Sequence, residues 1–159
     1  MKQIKLFSFA FLFLLAASCG GEKKSASDFK EGSTDNSTPK DPTSYDPKRG
    51  EGKFTAAGLV LTAGIDEKRA AEGLKVQGVK CGACHKLTDE KLVGPGWKGV
   101  TKRKAPEWIM NFITNPDPMI DKDPEVQAQL EICLVRMPNQ SLTDDDARNI
   151  LEFMRKNDQ

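Results

Sequence analysis

The sequence predicts an all-α domain, and three observations predict it. Apolar residues recur at helical spacing: Trp108, Ile109, Phe112 and Ile113 group on one side of a segment, and Ala147, Ile150, Leu151 and Met154 form a stripe. Capping residues and prolines stand where these segments start, with Pro106, Asp123 before Pro124, and the pair Thr143 and Asp146. Strand-type alternation is weak, and Phe54 to Ile65 is the one doubtful stretch. Neither internal repeats nor a second domain is visible.

At the N-terminus, Lys2 and Lys5 precede an apolar run from Leu6 to Ala17. That run is shorter than the roughly 20 residues of a membrane-spanning helix, so residues 1–18 read as a secretory signal and the mature chain as exported. The run closes on Leu15-Ala16-Ala17-Ser18-Cys19-Gly20, which resembles a bacterial lipoprotein signal. The resemblance implies acylation of Cys19 and anchoring to a membrane on the periplasmic side. The alternative is cleavage beside the alanine pair, with Cys19 left as a thiol. Residues 19–52 are rich in Ser, Thr, Asp, Lys, Pro and Gly, with only Phe29 and Tyr45 as bulky apolar residues. Too little can be buried there to offset the entropy of ordering, and the segment is expected to be a flexible tether.

The domain proper is expected over residues 53–159. Asp66 to Gln77 carries good helix formers and leads straight into Cys81. Lys104 to Thr114 follows as a second helix, with Pro106 at a position proline tolerates and Asn115-Pro116 as its stop. NPDPMI, which holds Met119, is expected as loop. Asp123 caps a helix that begins at Pro124 and places Val126, Leu130, Cys133 and Leu134 at helical spacing. The terminal helix opens on the capping-box pair Thr143 and Asp146. A domain of this size and modest apolar content buries only part of its surface, so something besides side chains is expected to complete its core.

The net charge of +1 says little, but its placement is asymmetric. Lys75 to Lys104 holds eight Lys/Arg against Asp89 and Glu90, whereas Ala105 to Asp146 holds nine Asp/Glu against Lys122 and Arg136. Such a distribution orients a protein toward a charged partner. No interleaving of basic and aromatic residues points to nucleic acid.

The chemistry concentrates in KCGACHKL, Lys80 to Leu87. Zinc needs four ligands, commonly as two spaced pairs, yet His85 is the only histidine and Cys133 the only other cysteine in the domain. A thioredoxin-like dithiol needs a strand before its first cysteine, and AAEGLKVQGVK supplies none. Cys-x-x-Cys-His in an exported chain reads as attachment of haem c. Cys81 and Cys84 would each add to one vinyl group as a thioether, and His85 would bind the iron as proximal ligand. Methionine at the sixth position raises the potential and closes the iron to substrates. Met110 and Met154 lie in helical patterns, where packing is the default. Met137 is the better placed candidate, since Pro138 holds it extended, and Met119 stays a competitor.

These residues, with LVGPGWKGVTKR at Leu92 to Arg103, the Trp108 helix ending in NP, and RMPNQSLTDDDARNILEF, resemble the small monohaem class I c-type cytochromes, in particular lipidated bacterial members. The resemblance runs from about Asp66 to the C-terminus and implies about four helices wrapped around one covalent haem. It assigns Cys81 and Cys84 to the thioethers, His85 to proximal and Met137 to distal ligation. It places the Pro95 carbonyl on His85, Arg103 near a haem propionate, and Trp97 and Trp108 at the pocket, where either indole N–H could reach a propionate or simply pack. It also pairs the first helix with the last, although the aromatic usual before the haem motif is missing and Leu74 and Val76 stand in its region. Cys133 is expected as a small buried hydrophobe.

The implied function is one-electron transfer between redox proteins, with no small-molecule substrate. A quinol-oxidising complex, a terminal oxidase or a periplasmic reductase are all possible partners. The alternatives are a haem enzyme or ligand sensor with an open sixth position and, after it, a thiol-disulfide oxidoreductase.

Overall fold

The computed structural model of the chain describes residues 45–159. The expected signal, Cys19 and most of the tether lie outside the described residues. Within them the chain forms six α-helices and no strand. The helices are α1 (Glu67–Lys80), α2 (Val100–Arg103), α3 (Pro106–Thr114), α4 (Pro116–Lys122), α5 (Pro124–Cys133) and α6 (Asp144–Asn157). The doubtful stretch Phe54 to Ile65 contains only a 3-10 turn, Ala56–Gly58. Among the described residues no helix is long and apolar enough to cross a membrane.

The pairing of α1 with α6 is the largest helix contact. Asp66 caps α1 by accepting from the Arg69 N–H, and Ala70, Gly73 and Gln77 form its buried face. Small residues let the two backbones approach: a Cβ on Gly73 would stand 2.0 Å from the Asn149 carbonyl oxygen and 2.8 Å from Phe153 Cβ. In the region where an aromatic was missing, Leu74 is half exposed and Val76 packs partly buried against the core. On α6 the capping box forms in both directions between Thr143 and Asp146, and Ala147, Ile150, Leu151 and Met154 are buried. Glu152, fully buried on the same helix, is held by Arg148 at 2.6 Å, Arg155 at 2.7 Å and the Asp66 N–H at 3.1 Å.

Two expectations about local structure are corrected. Asn115-Pro116 ends α3, but the chain does not then become loop. Asn115 leaves helical geometry for one residue, and Pro116, whose missing N–H costs nothing at a helix start, opens α4 over the NPDPMI stretch. Met119 is therefore a fully buried core residue on a helix. Leu134, expected on the buried stripe of α5, instead caps that helix in the left-handed region (φ 59°) and is 84% exposed. Smaller shifts are the start of α3 at Pro106 and the extension of α1 to Lys80.

Packing also begins earlier than residue 53. The Tyr45 hydroxyl donates to buried Asp123, and Asn111 of α3 donates to the carbonyls of Arg49 at 3.1 Å and Phe54 at 3.0 Å. The last residues of the expected tether thus lie against α3 and α4, with Tyr45 as their apolar anchor.

Candidate functional site

A cavity of about 440 Å³ opens between these helices, a size typical of ligand and cofactor sites at about 300–1,000 Å³. Its wall is mostly apolar. α3 contributes Trp108, Ile109, Phe112 and Ile113, α5 contributes Val126 and Leu130, and α6 contributes Ile150 and Met154. The groups with chemistry for a cofactor are Cys81, Cys84 and His85 just past the end of α1, Met137 beyond α5, and Arg103 at the end of α2. Other charged and amide side chains, such as Lys80, Glu125 and Arg136, are also in the lining.

The motif is shaped by one turn at the end of α1. The Cys81 N–H still bonds the Gln77 carbonyl at 2.9 Å, and both Cys84 N–H and His85 N–H reach the Cys81 carbonyl at 3.0 Å. The Cys84 carbonyl accepts from Val93 at 3.2 Å and Gly94 at 2.9 Å, which folds the following loop back over the motif. In that loop His85 Nδ1 donates to the Pro95 carbonyl at 2.8 Å. The bond fixes the tautomer and leaves Nε2 as the free lone pair. Gly94 is required beside it, since a Cβ there would lie 2.4 Å from His85 Cε1. Trp97 packs against the imidazole with ring centroids 5.8 Å apart.

Burial holds the His85 pKa below its ordinary value, against the opposing bond to Pro95, so the neutral ligand form prevails at pH 7. Burial also pushes the Cys81 thiol up to about 11; Lys80 works against that rise and Cys84 adds to it. A catalytic dithiol needs the reverse, a thiolate stabilised near neutral pH. Zinc fares no better: among the described residues no group of three or more His, Cys, Asp or Glu side chains is placed to hold a metal ion.

The structure separates the methionines and the tryptophans. Met137 lines the cavity from the extended segment after α5, whereas Met119 and Met110 do not line it, and Met154 lines it from the buried stripe of α6. Trp97 and Trp108 both line the cavity. The Trp108 indole N–H, however, donates to Asp123 Oδ2 at 3.0 Å and is not available to a propionate. Arg103 reaches the cavity and donates to the Lys98 carbonyl at 3.0 Å. Cys133 is half-buried and part of the wall, not a fully buried filler.

Sequence reasoning missed the residues that hold the Met137 segment. Arg136, directly before it, bonds Asp117 and Asp121 of α4, each at 2.9 Å. Lys80, directly before Cys81, donates to the Gln140 carbonyl at 2.9 Å. The spacing of Asp117 and Asp121, one helical turn, was the available signal, and it was hidden because α4 was read as loop.

The residues fit a covalently held porphyrin. Two thiols and an imidazole with a free Nε2 end one helix at an apolar cavity, and a thioether side chain enters the same cavity from elsewhere. Fold and site together define a small helical protein built around haem c. The family described as Cytochrome c matches residues 70–158, and the chain belongs to that family. It is a haem-binding electron carrier with one covalent haem c and redox proteins as partners.

Among solved structures, the cytochrome c from Rhodothermus marinus is 33% identical, with a TM-score of 0.62 over 70% of this chain and 91% of that one. An engineered cytochrome c from the same organism, Rma TDE, is 32% identical, with a TM-score of 0.62 over 70% of this chain and 97% of that one. Its form bound to a carbene intermediate is also 32% identical over the same shares, with a TM-score of 0.59. Comparison with curated proteins gave no match.

Proposed function

We propose that the chain is an exported, lipid-anchored one-electron carrier that works at the periplasmic side of a membrane. Cys81 and Cys84 would hold the porphyrin through thioethers, and His85 and Met137, which line the same cavity, would hold its iron. Bound haem c supplies a couple between ferric and ferrous iron. The remaining work belongs to the chain. Pro95 orients His85 and increases its basicity, Arg136 and Lys80 hold the Met137 segment from both sides, and Trp108, Ile109 and Ile113 exclude water. Arg103 and Trp97, both in the cavity wall, would be the groups to meet the haem propionates. With His85 and Met137 both holding the iron, no position would be left for a substrate, and the protein would serve as a carrier and not an enzyme.

The convergence of Cys81, Cys84, His85 and Met137 on one apolar cavity is the observation that carries this reading. Acylated Cys19 anchors the chain, and the residues up to the packed segment at Tyr45 tether the domain. The basic stretch from Lys75 to Lys104 docks on an acidic surface of the donor or acceptor, which is a quinol-oxidising complex, a terminal oxidase or a periplasmic reductase.

A second reading gives the sixth position to a substrate or ligand in place of Met137. It is favoured by the likeness to an engineered cytochrome c whose structure holds a carbene intermediate.

Alkylation of the denatured holoprotein followed by mass spectrometry tests the attachment. Cys133 should be labelled while Cys81 and Cys84 resist, and labelling of both motif cysteines would restore the dithiol reading. Docking is tested by the rate of electron transfer to an acidic redox partner, which should fall as ionic strength rises. A rate indifferent to salt would remove the docking proposal.

A further inference from the structure

The buried carboxylate of Asp123 has no part in attaching or ligating a haem, yet it bonds residues that form the cavity wall. Asp123 is 2% exposed. It accepts four hydrogen bonds: from the Tyr45 hydroxyl, from Trp108 Nε1 at 3.0 Å, and from the backbone N–H groups of Glu125 at 2.9 Å and Val126 at 3.2 Å. All four donors are neutral. No lysine or arginine among the described residues forms an ion pair with it; the neighbouring cation, Lys104, stacks 4.4 Å over Trp108 and is already paired with Glu125 at 2.6 Å. Trp108, Glu125 and Val126, three of the four partners, line the cavity. The carboxylate therefore sits one residue behind the wall.

Burial raises its pKa, but the bonds from Tyr45, Trp108, Val126 and Glu125 outweigh that and hold the carboxyl below the usual aspartate range. Asp123 is thus an anion at neutral pH. Burial, followed by the bond to Asp123, holds the Tyr45 hydroxyl well above its ordinary value, so it remains a protonated donor.

We propose that Asp123 is a positioning residue for electron transfer: it fixes the Trp108 ring and places a buried negative charge behind it. That charge biases the site toward its oxidised, more positive state, and Tyr45 moderates it. The proposal rests on the haem reading of the cavity. When a donor protein passes one electron to the site, its net charge falls by one and no bond forms or breaks; an anion held nearby opposes that fall. Because the anion is buried, salt screens it little. Tyr45 belongs to the segment before α1, outside residues 70–158 that match the family.

The test is potentiometric titration of holoprotein carrying Asp123→Asn or Tyr45→Phe, at low and high salt, with haem content measured as the pyridine haemochrome. Asp123→Asn should raise the equilibrium constant for reduction several-fold to tenfold, tenfold being about 59 mV for one electron. Tyr45→Phe should lower it by a smaller factor, because the same charge loses a donor. Both shifts should persist at high salt. A pocket merely loosened by either substitution would move both constants the same way, and that result overturns the proposal, as does an unchanged or lowered constant in Asp123→Asn. If Asp123→Asn does not fold, the Tyr45→Phe sign decides: a fall supports the proposal, and no change or a rise overturns it. Absence of haem c from the wild type would overturn the haem reading and the proposal with it, whereas normal haem content with unshifted constants overturns the proposal alone.

Discussion

His85 depends on two neighbours that do nothing chemical themselves. The Pro95 carbonyl accepts the hydrogen bond from Nδ1–H, and Gly94 leaves room for the ring. Gly94→Ala forces the imidazole or the 93–95 turn to move, which should lower stability by about 1–3 kcal/mol in urea unfolding. Glu152 is the buried charge of the helix pair. Removing a partner from a buried ion pair costs about 3–5 kcal/mol, and Glu152→Gln should fall near the lower figure because Arg148 and Arg155 keep some exposure. Burial works against its ionisation, but the bonds from Arg148, the Asp66 N–H and Arg155 prevail, so its folded pKa lies below the unfolded one. A depressed carboxylate stabilises the fold above the unfolded pKa of about 4.3, and that contribution fades as pH falls through the folded value. Stability followed from pH 7 downward should therefore drop less steeply below about pH 4 in Glu152→Gln than in wild type.

At the scale of elements, the capped and periodic segments were legible in the sequence. Asp66, Asp123 with Pro124, and Thr143 with Asp146 mark helix starts by chemistry local to a few residues. α4 was not legible, because Asn115-Pro116 signals the end of one helix as well as the start of another. α2, a single turn, carries too few residues for a periodic pattern. The crossing of α1 on α6 turns on Gly73, where absence of a side chain is the signal and periodicity is silent. Gly73→Val should cost more than about 3 kcal/mol, since the added atoms meet the Asn149 backbone and not a flexible side chain. The clamp from α4 predicts a gentler effect. Arg136→Gln should leave the fold intact but let carbon monoxide bind the ferrous protein faster, because the Met137 segment loses its tie to Asp117 and Asp121. An unchanged binding rate would make that clamp a surface ornament.

The whole molecule is arranged around its cavity. Cys81, Cys84 and His85 were legible as candidates because haem attachment demands fixed residue types at fixed spacing, whereas Met137 was legible only by its place before Pro138 and by resemblance; all four line the one cavity. The use of the Trp108 N–H could not, since its partner Asp123 is distant in the fold's logic and also caps α5. The cavity wall draws on α3, α5 and α6, and α5 has one buried residue, Val126. A chain unable to attach haem, Cys81→Ser with Cys84→Ser, should consequently lose the cooperative thermal transition and bind a hydrophobic dye. The central claim is a haem held by His85 and Met137 with both axial positions filled. The far-red absorption of the ferric holoprotein tests it most directly: a weak sulfur-to-iron band, low-spin iron, and loss of the band in Met137→Ala but not in Met119→Ala are predicted. High-spin ferric iron in the wild type, or a band that survives Met137→Ala, would contradict it.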